Sequence, residues 1–361
     1  MDMPNVIPPT TTLRLLEEKQ EIGQRNSLVN YSFYLGATSE NIEEIRKADP
    51  RTTCGIKVFM GSSTGNMLVD HIPTLERIFA EVPLLIATHC EDTPLINKNL
   101  AAFRQRYGEA IPPEAHPLIR SREACFKSSS LAATLARKYK SRLHILHLST
   151  AEETKLPDSG IRTQKQITGE VCVHHLWFND QAYTSKGNLV KWNPAIKTEQ
   201  DRLSLLKAVK EGRIDIIATD HAPHLLSEKN GPYTQAASGG PMIQHSLTVM
   251  LELMEKGYFS LAEIVDRMCH APADLFHISQ RGYLRKGYKA DICIFKKSPW
   301  TVTKDNLLYR CGWSPLENTS FTYQVQLTLV NGHKVYEKGT FYEDSKGELL
   351  SLIHISEPTR P

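Results

Sequence analysis

The chain has 361 residues, 40% of them hydrophobic and 23% charged, so it carries enough apolar material for a large interior and is not globally disordered. A net charge of +3, from 43 Lys and Arg against 40 Asp and Glu, is too weak a footprint for nucleic acid or anionic membrane, which leaves a small-molecule substrate as the expected partner. The 7 cysteines are odd in number and never spaced C-x-x-C, which excludes a disulfide framework and a thiolate zinc site. The start lacks a basic segment followed by an apolar one, and no apolar run has the length of a membrane span. A cytoplasmic location is therefore expected.

In chain order, residues 1–5 read as the end of a strand whose beginning is absent. Apolar β-rich runs follow at 28–35, 55–60, 83–89, 143–148, 170–176 and 214–220, alternating with amphipathic segments such as 38–48 and 70–80. In the second of these segments Leu75, Ile78 and Phe79 recur at helical spacing. The expected fold is α/β, with repeated βα units around a parallel sheet that is one strand short of a closed eight-stranded barrel. Residues 8–12, Pro8-Pro9-Thr10-Thr11-Thr12, read as a loop. Ser260 followed by Glu263 is a capping box that opens a helix at 261–266. From about residue 282 short strands take over (291–295, 323–331, 334–336), with Asn331-Gly332 as a hairpin turn. The expected organisation is a barrel over 1–281, part of a small β module over 282–347, and a tail over 348–361.

Polar residues fall at matching places on otherwise apolar strands: Lys57 within Ile56-Lys57-Val58-Phe59, His89 after Ala87-Thr88, His147 after Ile145-Leu146, and Asp220 after Ala218-Thr219. In a βα barrel the C-terminal strand ends converge on one face, so these distant positions meet. Two imidazoles and a carboxylate brought together suit zinc. Lys57 joins such a set only if burial lowers its pKa, because a neutral amine can take up carbon dioxide as an anionic carbamate. Singly, each residue has a plainer reading: a hydrogen-bonded core histidine, a lysine reaching out of the core along its stem, an aspartate capping a helix. Their shared position favours the joint one.

Thr219-Asp220-His221-Ala222-Pro223-His224 resembles the signature closing the barrel in dihydroorotases of the amidohydrolase superfamily. In the same order come Met1-Asp2-Met3-Pro4-Asn5, Ile56-Lys57-Val58-Phe59-Met60, Thr88-His89-Cys90-Glu91-Asp92, His147-Leu148-Ser149-Thr150, Val173-His174-His175-Leu176 and Trp192-Asn193-Pro194-Ala195-Ile196-Lys197. The resemblance implies a TIM-type (β/α)8 barrel with a small β-sandwich, here incomplete. It implies two Zn2+ ions bridged by carboxylated Lys57, with His89 and His147 on the second ion and Asp220 on the first. Asp220 would also shuttle the proton during reversible cyclisation of N-carbamoyl-L-aspartate to dihydroorotate. Asn5, Asn193 and His224 match positions that hold substrate. Gly240, in Gly239-Gly240-Pro241, matches a segment offering backbone contacts to the ring, although Pro241 brings no N–H. His174, His175, His221 and His144 are expected to be structural, with His144 on the opposite strand face from His147.

Hydantoinase or dihydropyrimidinase and allantoinase are the alternatives, the last sharing the Asp-Met-Pro-Asn entry; a metal-free scaffold is the non-enzymatic one. The dihydroorotase pattern opens with His-x-His on the first barrel strand and a nearby arginine, and this sequence contains neither. A missing first strand is therefore expected, with loosely held metal and an inactive fragment. The stretch 350–361 resembles sequencing-adapter read-through and is expected to be non-native, so His354 is no ligand. A homodimer is an open expectation.

Overall fold

A computed structural model describes residues 1–61 and 67–352. Its centre is a parallel six-stranded sheet in sequence order: β1 (Phe33–Gly36), β2 (Thr53–Phe59), β3 (Ile86–His89), β4 (Leu143–Ile145), β5 (Ile167–Cys172) and β6 (Ile216–Ala218). Residues 1–5 add a single parallel bridge, Asp2 to Phe33, on the outer edge of β1. The strands alternate as period-2 geometry requires. Ile86, Ile145, Val171 and Ile217 face the helices in the main core. Ala87, Leu146 and Ile216 face inward with Tyr34 and Phe276.

Helices cover the outer face. Ile72–Glu81 buries Leu75, Ile78 and Phe79, the positions whose spacing marks them out. Asp92, Ser121 and Thr198 cap the helices Thr93–Tyr107, Arg122–Tyr139 and Glu199–Lys210 by accepting a backbone N–H in the first turn. The Ser260–Glu263 capping box forms, and its helix, Leu261–Val265, runs on through a π-helical turn to Leu275.

The strand expected over 28–35 begins only at Phe33, residues 1–5 form no strand beyond their single bridge, and two further elements differ for a local reason. Residues 38–48 hold only the short helix Ile42–Ile45, because the Asn41 amide donates to the Gly36 and Thr11 carbonyls and accepts from Thr38 N–H, pinning the preceding turn to the end of β1. The run 170–176 is a strand only to Cys172; Val173–Trp177 is a turn of helix that carries His174 and His175 off the sheet.

A second, antiparallel sheet orders β10 (Thr340–Phe341), β9 (His333–Glu337), β8 (Ser320–Val330) and β7 (Ile292–Thr301). Asn331 (φ 54°) and Gly332 (φ 85°) join β8 to β9, both in the left-handed region that this tight turn demands. The chain from Gly347 to Leu352, where the stretch expected to be non-native begins, packs against the sheet. Tyr31 N–H donates to Glu348 O and Leu350 N–H to Tyr31 O, while Leu350 and Leu352 are buried against the inward-facing cluster. His354 lies outside the described residues. Among the described residues no helix is long and apolar enough to cross a membrane.

Candidate metal centre

Towards the C-terminal ends of the central strands Lys57 is coupled electrostatically to His89, His147 and Asp220, while the ligand atoms of Asp220 and the two histidines do not all fall within 4.8 Å of one another. Lys57, in β2, is 2% exposed, with its Nζ 4.5 Å from the Phe59 ring centroid. His89 ends β3 beside Phe59. His147 and Asp220 each follow the last residue of their strand by two positions, and each has a positive φ, 39° and 41°. Such backbone is uncommon outside glycine and is held only where surrounding structure fixes it. At His147 it also overturns the expectation about His144. His144 faces inward, its Nε2 3.2 Å from Glu170 Oε2, and the kink at His147 turns that side chain inward too.

His89 Nδ1 and His147 Nε2 stand 3.0 Å apart, with rings at 75°. Two zinc–nitrogen bonds of ~2.0–2.1 Å at a tetrahedral angle hold their nitrogens ~3.3 Å apart, so this pair fits one shared ion after a slight opening. Burial lowers the pKa of both imidazoles, with Lys57 adding to the effect, which favours the neutral form a ligand needs. Burial likewise pulls Lys57 down to about 8, against the attraction of Asp220 and Glu170. The Asp220 carboxyl is pushed up to about 6 by burial, with Lys57 opposing and Glu170 reinforcing. Asp220 is partly exposed.

Three residues around this centre escape sequence reasoning as functional positions. Glu91 is fully buried; its Oε2 is 3.1 Å from His89 Nε2 and accepts from Arg120 Nη1. A carboxylate on the far nitrogen of a liganding histidine fixes its tautomer and orientation. Glu170, on β5, acts on both Lys57 and Asp220. Glu170 carries the same signal as Lys57, a charge on an apolar strand, and Glu91 follows His89 by two residues. Arg120, distant in sequence, carries no such signal.

Among the described residues the ligand atoms of Cys172, His174 and His175 also lie within 4.8 Å of one another, all buried. This cluster fits a metal poorly. Burial, then the charges of Asp220 and Glu170, raise the Cys172 thiol well above its ordinary pKa, whereas a metal needs the thiolate. The His174 ring instead stacks on Trp192 at 4.4 Å and 10°, and His175 Nε2 lies 3.2 Å from the Pro194 carbonyl.

The expected substrate residues are spread over three loops. Pro4 abuts Gly36 at the end of β1, which brings Asn5 to the same rim. Asn193 Oδ1 is buried with no hydrogen-bond partner among the described residues. His224 is partly exposed, its Nε2 3.1 Å from the Ser238 carbonyl. Gly240 bridges to His221 and lies so close to Trp192 that a Cβ would come within 2.5 Å of the indole. His221 is structural, its Nδ1 accepting from Met242 N–H at 3.2 Å.

The amidohydrolase family model matches residues 73–335. The dihydroorotase of Methanothermobacter thermautotrophicus is 30% identical over 359 residues, covering 98% of this chain and 79% of that protein. That of Pyrococcus furiosus is 31% identical over 357 residues, covering 97% and 75%. Among solved structures, the L-hydantoinase (dihydropyrimidinase) from Arthrobacter aurescens superposes with a TM-score of 0.89 at 25% identity, covering 97% of this chain and 80% of that one. The chain belongs to the amidohydrolase family, on the branch occupied by its dihydroorotase relatives.

Proposed function

We propose that this chain interconverts dihydroorotate and N-carbamoyl-L-aspartate, opening and closing a cyclic amide as a step of pyrimidine biosynthesis. The observation that carries this reading is the facing pair His89 and His147, 3.0 Å apart, beside the electrostatically coupled Lys57 and Asp220. Family membership implies metal ions, and the finer reading is two Zn2+. His89 and His147 would hold one and Asp220 the other, with a carbamate on Lys57 between them. Bound zinc would supply Lewis acidity toward the ring carbonyl and activate water as the nucleophile.

The protein's own groups supply the rest. The Asp220 carboxylate, in the family's position for the proton shuttle, would take a proton from the nucleophile and pass it to the departing ring nitrogen. Glu91, itself held by Arg120, keeps the His89 ring oriented. The unpartnered Asn193 Oδ1 offers an acceptor to a ring N–H. His224 and the backbone around Gly240 receive the substrate carboxylate and ring.

The test is turnover of dihydroorotate, allantoin and dihydrouracil by the zinc-supplemented protein. Dihydroorotate is expected to be the preferred substrate, and Asp220→Asn to abolish its turnover. Turnover of allantoin alone would replace this reading. Metal binding without turnover of any of the three, persisting when a His-x-His strand is supplied ahead of residue 1, would favour a scaffold.

A further inference from the structure

The segment from His224 to Gly240 is folded around two buried lysines that the proposed chemistry leaves unused. Lys229, 1% exposed, donates from Nζ to the carbonyls of Ala237 (2.7 Å), Gly239 (2.7 Å) and Lys191 (3.2 Å). Lys191 Nζ donates to the carbonyls of Tyr233 (2.7 Å) and Ala236. Gly239 N–H donates to the same Lys191 carbonyl that Lys229 reaches. Three N–H donors on an ammonium meet three backbone acceptors, which satisfies Lys229 completely.

These contacts lead directly to the substrate rim. Ser238, between the two carbonyls held by Lys229, accepts from His224 Nε2, and Gly239 packs on the His224 ring so closely that a Cβ would stand 3.2 Å from it. Gly240 follows at once. On the other side the Trp313 ring lies 5.8 Å from Lys229 Nζ, and Trp313 Nε1 donates to the His224 carbonyl at 2.8 Å.

No carboxylate forms an ion pair with either lysine among the described residues. Glu228, on the same short helix, is given to Leu225 N–H and stands 3.8 Å from His224. Arg120 and Lys191 add repulsion, and Tyr233 is occupied by His116. Burying an unpaired cation is costly, and an apolar side chain of similar volume would fill this space without that cost.

We propose that Lys229 is the positioning residue of the substrate loop: through the carbonyls of Ala237, Gly239 and Lys191 its ammonium sets where His224 and Gly240 stand against the substrate. This rests on reading His224 and Gly240 as substrate residues. Lys191 fastens the outer half of the same loop. Burial and the Lys191 charge pull the Lys229 ammonium down to about 7. A neutral amine has two N–H groups for three carbonyls, so the loop loosens as pH rises past neutrality.

The experiment compares the wild-type protein with Lys229→Met and Lys191→Met. In Lys229→Met, KM for dihydroorotate is expected to rise about tenfold or more, with kcat within about threefold and zinc content unchanged, the pattern of lost substrate positioning rather than lost chemistry. Amide hydrogen exchange should quicken across residues 224–240 and not elsewhere. Wild-type KM should climb between pH 6 and 9 toward the variant's value, and the variant's KM should climb less steeply, with only the Lys191 ammonium left to titrate under the loop. Should Lys229→Met not fold, Lys191→Met carries the test, with faster exchange over 230–240 and a smaller rise in KM. Unchanged exchange in 224–240, or unchanged KM in the folded variants, overturns the proposal. If the wild type turns over no cyclic amide, the proposed reaction fails, and the exchange measurement alone still decides the role of Lys229.

Discussion

Replacing Arg120 by methionine strands a buried carboxylate beside a candidate metal ligand. Glu91 has no exposed surface, yet its carboxyl sits at about 2: burial pushes it up, and the attraction of Arg120, then of His89 and Lys197, more than offsets that. The displacement from 4.5 corresponds to ~3 kcal/mol in favour of the ionised form, at 1.36 kcal/mol per unit. Removing Arg120 leaves the burial penalty in place, so Arg120→Met should destabilise by ~3–5 kcal/mol, the usual cost of breaking a buried pair. For a chain of this length, 3 kcal/mol lowers Tm by ~4 °C, given an unfolding entropy of ~2.1 cal/mol/K per residue.

The pH sign is fixed by the depressed pKa. The Glu91 contribution is complete above 4.5 and is lost as pH falls toward 2, so the gap between wild type and Arg120→Met is widest near neutrality and narrows in acid. With the His89 ring less firmly oriented, zinc affinity should fall ~10–100-fold. Glu91→Gln keeps the shape without the charge, so the double variant should lose ~2 kcal/mol less than the sum of the single ones. Thermal melts and zinc competition against a chelator measure both effects. An Arg120→Met protein within ~1 °C of wild type, or strict additivity in the double variant, would refute the reasoning.

Lys57→Ala should abolish paired metal binding, whereas Lys57→Asp or Lys57→Glu should retain part of it; 13C-bicarbonate should label the wild type at this lysine, and normal metal content in Lys57→Ala would remove the carbamate bridge. His245 is buried and its pKa is pulled down to about 4, so its contribution to stability is complete above about 6.5 and shrinks as pH falls toward 4, by up to ~1.4 kcal/mol per pH unit. Urea titrations from pH 8 to 5 should show that slope, reduced in His245→Asn; an identical slope in the variant would contradict it. Gly240→Ala drives a methyl to within 2.5 Å of the Trp192 indole, itself stacked on His174, and should lower stability by ~1–3 kcal/mol in thermal melts. An unchanged Tm would mean that the indole yields.

The strand framework was legible because alternating and β-branched apolar runs set β2, β3, β4 and β6 to within a few residues. The four polar strand-end residues were legible for the same reason: each breaks an apolar run. Positive φ at His147 and Asp220 was not, since no pattern of neighbouring residues announces it. The strand through residue 176 failed at Cys172, where Val173-His174-His175 folds into helix and a short apolar run cannot announce its period. The Glu91–Arg120 pair and the Lys229 hub depend on contacts across long loops, which no local pattern encodes. Leu350 and Leu352, in the stretch read as non-native, pack inward by contacts that no local pattern announces.

The most direct measurement is zinc K-edge X-ray absorption on the metal-loaded protein, with His89→Asn and His147→Asn alongside. A shell of nitrogen and oxygen at ~2.0–2.1 Å containing imidazole is expected, without sulfur, and depleted in both variants. A sulfur at ~2.3 Å, persisting in both variants, would locate the ion at Cys172, His174 and His175 and contradict a centre built on the strand ends.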